Sequence, residues 1–221
     1  VIRVLIKKVL QKVSVASKGL IDVSDKSNNV MLFRGNRKKV NFDIKDIFSD
    51  ITVSSNNSIL EIDNKAYRGS VEILKRGNIL FVINVIPLEE YLFSVVPGEI
   101  PASWHEEALK AQAVAARTYA FYHISKKKKR SFYDLDATTK FQVYKGASVE
   151  NNKTTKAVLE TAGQILTYKG KPILSYFHST CGGRTIDDKY VWKGKDLIYL
   201  KGVNSNFCKS SPHWEWNETL T

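Results

Sequence analysis

Short runs of β-branched, aliphatic and aromatic residues, separated by polar turns, fill the first part of the chain. Examples are IRVLI at 2–6, ITVSS at 51–55, YRGSVEIL at 67–74 and ILFVINVI at 79–86, with turn sequences such as SDKSNN and RGN between the runs. Runs of this kind, bounded by Gly, Asn, Asp and Ser, are typical of strands. The pattern therefore predicts a β-rich N-terminal part over residues 1–87.

A helical period replaces the strand pattern at Leu88. The segment LEEYLFSVV places its apolar side chains on one helical face. Pro97 and Gly98 follow and are expected to end this helix. Glu99 then lies in a turn, between Gly98 and Ile100-Pro101.

A second helix is predicted from Ser103 to about Ile124. Ser103 and Glu106 have the spacing of a capping box. Small or apolar side chains then recur on one narrow arc, which allows a close approach to a neighbouring element; they are Leu109, Ala113, Ala116 and Ala120. Gln112 and Arg117 flank this arc, where a side chain can line the edge of a groove while staying partly buried.

The last third of the chain mixes helix and strand signals. Asn152 to Ala162 predicts a helix closed by Gly163. The segments QILTY and ILSYFHST around KGKP predict a hairpin, and VWKGKDLIYLKGV predicts one or two more strands. Together these patterns predict an α+β fold that is β-rich with a few helices. Its second part, residues 88–221, is a helix-plus-hairpin part, and the two parts are expected to form two lobes flanking a groove.

The charge balance is strongly basic, with 34 Lys and Arg against 22 Asp and Glu and a formal net charge of +12. Such a chain favours a polyanionic partner or an anionic surface. The basic residues are scattered, and the sequence has no zinc-finger, RNA-binding or helix-turn-helix signature, so we expect no nucleic-acid partner. A nucleic-acid binder would rest on the charge alone.

The ends of the sequence suggest a trimmed chain. No signal peptide opens it, no apolar run is long enough for a membrane span, and it stops at HWEWNETLT without an obvious boundary. We expect truncation at both ends and a removed N-terminal segment that exported or anchored the protein.

Cys181 and Cys208 admit two interpretations. In an oxidising compartment they can form a disulfide, and in the cytosol they would be unrelated thiols. With His178 and His213 they could form a metal set, but the spacing matches no familiar structural zinc pattern. A disulfide is the simpler interpretation; we predict no metal or other cofactor, with zinc the disfavoured alternative.

Glu99 also admits two interpretations. Most glutamates in turns are exposed surface carboxylates, and spacing alone favours that. Val95, Val96, Ile100 and Trp104 surround this one in sequence, however, and a carboxyl among apolar groups can hold its proton and act as a general acid. Arg117 is by its spacing either a structural ion-pair partner or a groove residue.

Several of these segments, taken in order, resemble the stage II sporulation protein D family, which includes amidase enhancer proteins. The segments are YRGSVEI, NVIPLEEYLFSVVPGEIPASWHEEALKAQAVAARTYA, QVYKG and TAGQILTYKGKPILSYFHSTCGGRT, followed by VW and YLKGV. The resemblance covers roughly residues 60 to 215.

The resemblance implies a lytic transglycosylase of peptidoglycan. Such an enzyme cleaves the β-1,4 bond from N-acetylmuramic acid to N-acetylglucosamine in glycan strands stripped of stem peptides, and it forms a 1,6-anhydro product. Glu99 falls on the family's catalytic glutamate and would serve as both acid and base. We predict substrate contacts along the groove at Gln112, Arg117, Tyr119, Gln142, Tyr144, His178, Ser179 and Thr180.

The family also implies the setting of the protein. We expect peptidoglycan glycan strands as substrate, a cell-wall amidase as partner, and a location outside the cytoplasm, in the periplasm or the cell wall. The alternative is a non-catalytic module that binds glycan or enhances an amidase, as enhancer members are proposed to do.

Overall fold

The computed structural model describes residues 1–36, 38–57, 59–126, 131–192, 196–215 and 217. The strands of the N-terminal part are β1 Ile2–Val9, β2 Lys12–Ala16, β3 Ile21–Asp25, β4 Met31–Gly35, β5 Lys39–Asp43, β6 Ile51–Ser55, β7 Ile59–Ile62, β8 Lys65–Arg68, β9 Ser70–Arg76 and β10 Ile79–Ile86. The later strands are short: β11 Leu135–Asp136, β12 Thr167–Tyr168 and β13 Lys171–Pro172. The helices are α1 Leu88–Glu99, α2 Glu106–Ser125, α3 Asn152–Glu160 and α4 Asp188–Val191, and 3₁₀ turns cover Ile44–Asp46, Ala147–Val149 and Ile198–Leu200.

Two sheets hold the N-terminal part together. Among the described residues, seven strands form one sheet in the order β11-β1-β10-β9-β6-β3-β4, and four form another in the order β5-β2-β7-β8. Neighbouring strands are antiparallel, except that β11 runs parallel to β1. The predicted β-rich part is confirmed at the level of secondary structure.

Gly69 divides one predicted strand into two. YRGSVEIL reads as a single run, but its first residues belong to β8 and its later ones to β9, in different sheets. Gly69 has φ +75°, and a Cβ there would lie 2.4 Å from the carbonyl oxygen of Val85. Only glycine permits this turn and this approach, so the chain changes sheets at that residue.

The hydrophobic core crosses the predicted boundary at residue 87. One cluster contains Ile2 and Val82 from the strands together with Tyr91, Ala116 and Val158 from the three longer helices. The α+β class is confirmed. The division at residue 87 and the two lobes flanking a groove stay predictions.

The helix α1 continues past the predicted break. Pro97 and Gly98 are helical, and Glu99 is the last helical residue. Proline has no N–H donor, so one hydrogen bond of the last turn is missing at Pro97. The N–H of Ile100 still donates to the carbonyl of Val96 at 3.1 Å and closes the helix. Glu99 is therefore a helix-end residue and not a turn residue.

The helix α2 begins later than predicted. The N–H of Trp104 donates to the carbonyl of Pro101, which holds residues 101–104 in a separate turn. His105 is the N-cap, and its Nδ1 accepts from the N–H of Glu107 at 3.2 Å. The predicted arc is confirmed, since all four of its side chains are buried; they are Leu109, Ala113, Ala116 and Ala120.

The predicted C-terminal strands are largely absent from the described residues. The hairpin is reduced to the two-residue strands β12 and β13. Polar groups on either side of them form hydrogen bonds with α2 instead of with each other: Thr118 Oγ1 accepts from the N–H of Leu166, and Ser175 Oγ donates to the carbonyl of Ala115. The prediction of strands in VWKGKDLIYLKGV is wrong at its start, where α4 ends, and at Ile198–Leu200, which form a 3₁₀ turn. Residues 193–195 of this segment lie outside the described residues. In the described part of the chain, none of the helices combines the length and apolarity that crossing a bilayer requires.

Candidate active site

Glu99 presents a half-buried carboxyl at the C-terminal end of α1. Its Oε1 accepts a hydrogen bond from the backbone N–H of Val143 at 2.8 Å. Among the described residues this is the carboxyl's one hydrogen bond, so Oε2 has no such partner. One oxygen is thus fixed by the backbone, while the other can meet a ligand.

The segment 143–145 is held against the last two turns of α1. A Cβ on Gly98 would lie 3.0 Å from the carbonyl oxygen of Val143, so the absence of a side chain allows this approach. One turn earlier, Ser94 Oγ accepts from the N–H of Lys145 at 3.2 Å. The sequence Gly98-Glu99 therefore combines close backbone packing with the carboxyl that uses it.

Gln142 and Tyr144 support this segment from the core. Both amide atoms of Gln142 are bonded internally: Oε1 accepts from Tyr91 Oη at 3.2 Å, and Nε2 donates to the carbonyl of Ala116 at 3.2 Å. Tyr144 donates to Asn84 Oδ1 at 2.6 Å. The exposed fractions of Gln142 and Tyr144 are 1% and 5%. Their burial favours a positioning role over the predicted contact with substrate.

Tyr119 is electrostatically coupled to Glu99. Burial, with smaller contributions from Tyr176, Asp136 and Glu99, raises the pKa of Tyr119 to about 12. Burial also raises the pKa of Tyr91 well above its usual value, and Glu99 and Asp136 add to that shift. Two carboxylates therefore act on the same two phenols, and a proton stays on each phenol at neutral pH.

Aromatic rings form a wall beside Tyr119. Its ring centroid lies 4.5 Å from that of His123, which in turn lies 5.1 Å from that of Phe141. Asp136, His123 and Phe141 were not predicted from the sequence. Asp136 lies in β11, Phe141 in the loop after it and His123 near the C-terminal end of α2, and they share no motif with Glu99. A helical projection of α2 could have placed His123 one turn from Tyr119.

Arg117 is 1% exposed, and all three of its guanidinium nitrogens donate hydrogen bonds inside the protein. Its Nε and Nη2 bind both oxygens of Glu89 at 2.8 and 2.7 Å. Nη2 also donates to the carbonyl of Val158 at 3.0 Å, and Nη1 donates to that of Gln164 at 3.2 Å. Arg117 thus joins α1, α2 and the end of α3. These contacts favour the structural interpretation; the predicted substrate contact stays a prediction.

Gln112 is half-buried, and its Nε2 has no hydrogen-bond partner among the described residues. A buried donor without an acceptor costs about 1–3 kcal/mol. Such a donor would gain from an incoming hydroxyl or carbonyl group, so the predicted substrate contact at Gln112 stays a prediction.

His178, Ser179 and Thr180 are not bonded to this carboxyl. Among the described residues, none of the three forms a hydrogen bond or ion pair with Glu99. His178 and Thr180 line a cavity of about 690 Å³ further along the chain, and Ser179 is exposed. The predicted contacts therefore divide among the core, the surroundings of Glu99 and this cavity.

The two cysteines are neighbours. Cys181 Sγ lies 3.8 Å from Cys208 Sγ, and both are thiols. A hydrogen bond from the backbone N–H of Gly183 lowers the pKa of the Cys181 thiol. The described residues include no group of three or more His, Cys, Asp or Glu side chains that could hold a metal ion. The disulfide stays a prediction.

Comparison with known proteins supports the motif resemblance. Residues 76–168 match the family model described as Stage II sporulation protein, and this range includes Glu99, Arg117 and the segment 143–145. Residues 76–168 thus carry the domain that this family model describes. The helices α1, α2 and α3 and the site around Glu99 lie within the matched range.

Individual relatives agree with the family model. The chain is 41% identical over 152 residues to stage II sporulation protein D of Bacillus subtilis, and this alignment covers 62% of this chain and 43% of the relative. It is 35% identical over 188 residues to an uncharacterized protein of Brachyspira hyodysenteriae, covering 85% of this chain and 51% of the relative. It is 40% identical over 130 residues to the amidase enhancer of Bacillus subtilis, covering 59% of this chain and 17% of the relative. The chain spans about half the length of the first two relatives, or less.

Proposed function

We propose that the protein is a lytic transglycosylase that cleaves peptidoglycan glycan strands, with Glu99 as the catalytic acid and base. The observation that carries the proposal is the carboxyl of Glu99, held by Val143 N–H through Oε1 and unbonded among the described residues at Oε2. The domain match, which includes this residue, supports it.

The proposed reaction needs one carboxyl group. Because Oε1 accepts a backbone hydrogen bond, Oε2 is the oxygen that carries the proton. Oε2 protonates the glycosidic oxygen as the bond from C1 of N-acetylmuramic acid breaks. The resulting carboxylate then takes the proton of the C6 hydroxyl of the same sugar while O6 bonds to C1. The acid is regenerated, and the product carries a 1,6-anhydro ring without uptake of water.

The surroundings of Glu99 suit this chemistry. Tyr119 and Tyr91 remain neutral, and the carboxyl of Asp136 acts on the same two phenols as that of Glu99. The fixed backbone contact orients the Glu99 carboxyl for both proton transfers.

The test replaces Glu99 with Gln. The amide oxygen can still accept from Val143 N–H, so the fold should persist while the proton is lost. We expect anhydromuramoyl product from denuded glycan strands to fall about a hundredfold to ten-thousandfold. Glu107→Gln, a change at a carboxyl of the first turn of α2 that is 71% exposed, is the control and should retain activity. Full activity in Glu99→Gln would refute the assignment.

A non-catalytic role is the second candidate, because one relative is named amidase enhancer. In that case the protein would bind glycan strands, or stimulate a cell-wall amidase, without cutting glycan. Sedimentation with peptidoglycan that produces no new anhydro ends would favour this role. Both functions place the protein outside the cytoplasm, and the basic charge suits anionic wall polymers.

A further inference from the structure

A cavity of about 690 Å³ lies in the C-terminal part of the chain, outside the surroundings of Glu99. Its lining comes from residues between Tyr176 and Val203 and combines aromatic rings, hydroxyl groups and cations. We call it the C-terminal cavity. Its size and mixed lining are typical of a ligand site.

Three aromatic rings connect the C-terminal cavity to the surroundings of Glu99. The ring of Tyr176 stacks on that of Trp192 with centroids 3.8 Å apart and planes 12° apart. Tyr176 also packs against Tyr119, with centroids 6.2 Å apart and the rings tilted by 52°. Tyr119 is the residue coupled to Glu99. These ring contacts therefore join the lining of the C-terminal cavity to the buried side chain of Tyr119.

Trp192 is the outermost of the three rings, with 39% of its surface exposed. Tyr176 covers one of its faces and fixes its orientation. The negative face of an aromatic ring attracts the polarised C–H groups of a sugar. Trp192 is therefore suited to carry a pyranose ring.

The cations of the C-terminal cavity differ in how far their charge is compensated. Lys201 forms ion pairs with Asp187 and Asp196. Arg184 is exposed, donates to Asn204 Oδ1 at 3.1 Å, and forms no ion pair with a described residue. An arginine without a carboxylate partner can bind an incoming carboxylate through two parallel hydrogen bonds.

The carboxylate in the cavity lining does not compete with a ligand for Arg184. Asp188 is the one carboxylate among the described lining residues, and it is 1% exposed. Both of its oxygens accept from the N–H of Leu197, at 3.1 and 3.2 Å. The accessible charge of the C-terminal cavity is therefore positive.

We propose that the C-terminal cavity is a subsite for a carboxylate-bearing sugar, with the pyranose ring on Trp192 and the carboxylate on Arg184. In a peptidoglycan strand, N-acetylmuramic acid has a lactyl carboxylate, and this group is charged only where no peptide is joined to it by an amide. The subsite thus selects the substrate by charge. This inference rests on the glycan substrate of the proposed function and adds the residues that would recognise it.

The test compares two ligands on the Glu99→Gln variant, which binds without turnover. One ligand is a denuded peptidoglycan tetrasaccharide, and the other is the same molecule with its lactyl carboxyls converted to methylamides. Calorimetric titration should show that the charged ligand binds about tenfold or more tightly. Adding Arg184→Gln should remove this preference, and adding Trp192→Ala should weaken binding of both ligands. Arg34→Gln, at an exposed arginine of β4, is the matched control and should retain the preference.

Two outcomes would overturn the inference: a preference for the charged ligand that survives Arg184→Gln, or unchanged binding of both ligands after Trp192→Ala. The inference fails alone if the wild-type protein forms anhydro product while either of these outcomes is observed. The proposed function fails alone if the wild-type protein forms no such product while Arg184→Gln still removes the charge preference.

Discussion

Replacing Arg117 with Met tests whether this arginine stabilises the fold or contacts the substrate. The change removes the partner of Glu89 and leaves the carbonyls of Val158 and Gln164 without their guanidinium donor. Arg117 is 1% exposed. Removing one member of a buried ion pair costs about 3–5 kcal/mol. The Glu89 side chain is 32% exposed, so solvent screens part of the pair and the lower end of this range is expected.

The matched control is Arg34→Met. Arg34 also binds both oxygens of its partner, Asp22, at 2.8 Å, but it is 62% exposed. An exposed pair contributes little to stability, because solvent screens it, so Arg34→Met should leave the free energy of unfolding nearly unchanged. Urea unfolding, followed by circular dichroism and extrapolated linearly to water, gives the free energy of unfolding of each variant. Equal losses in the two variants would refute the structural role of Arg117.

Activity separates the two roles further. If Arg117 acts through the fold, activity per folded molecule should persist at a temperature where Arg117→Met is folded. A folded Arg117→Met with normal stability and no activity would instead support direct contact with the substrate.

Three further predictions concern other parts of the structure. Gly98→Ala places a Cβ about 3.0 Å from the carbonyl oxygen of Val143, so kcat/KM should fall about tenfold through displacement of that segment; an unchanged kcat/KM would contradict this. The raised pKa of Tyr119, about 12 against 10.0, contributes stability that is full below pH 10 and is lost as the pH rises towards 12; Tyr119→Phe should flatten the unfolding free energy over that range, and an unaltered slope would count against it. Cys181 and Cys208 should form an intramolecular disulfide on mild oxidation; thiol titration that finds two free thiols and one bound zinc would overturn this.

Local sequence patterns predicted the elements better than their boundaries. The buried arc of α2 followed from a helical period of small residues, and burial confirms it. The continuation of α1 through Pro97 could not be predicted, because the helix is stabilised there by packing against the segment 143–145, more than forty residues away. The predicted hairpin was shortened for a related reason, since side chains of α2 bind its neighbouring polar groups.

The candidate site was predictable only in part. Glu99 followed from the ordered motifs of the resemblance, whereas spacing alone favoured a surface carboxylate. The tertiary structure brings Asp136 and Tyr91 close enough to Tyr119 and Glu99 for their charges to interact. A helical or strand period in the sequence does not predict such long-range proximity. The burial of Gln142 also depends on partners in two helices, Tyr91 and Ala116.

The most direct test of the central claim is mass spectrometry of the products that the wild-type protein forms from denuded glycan strands in heavy-oxygen water. A lytic transglycosylase should give 1,6-anhydro ends that contain no heavy oxygen, because the C6 hydroxyl of the sugar and not water attacks C1. Reducing ends labelled with heavy oxygen would show hydrolysis, and no cleavage at all would show a binding role; either result would contradict the proposed function.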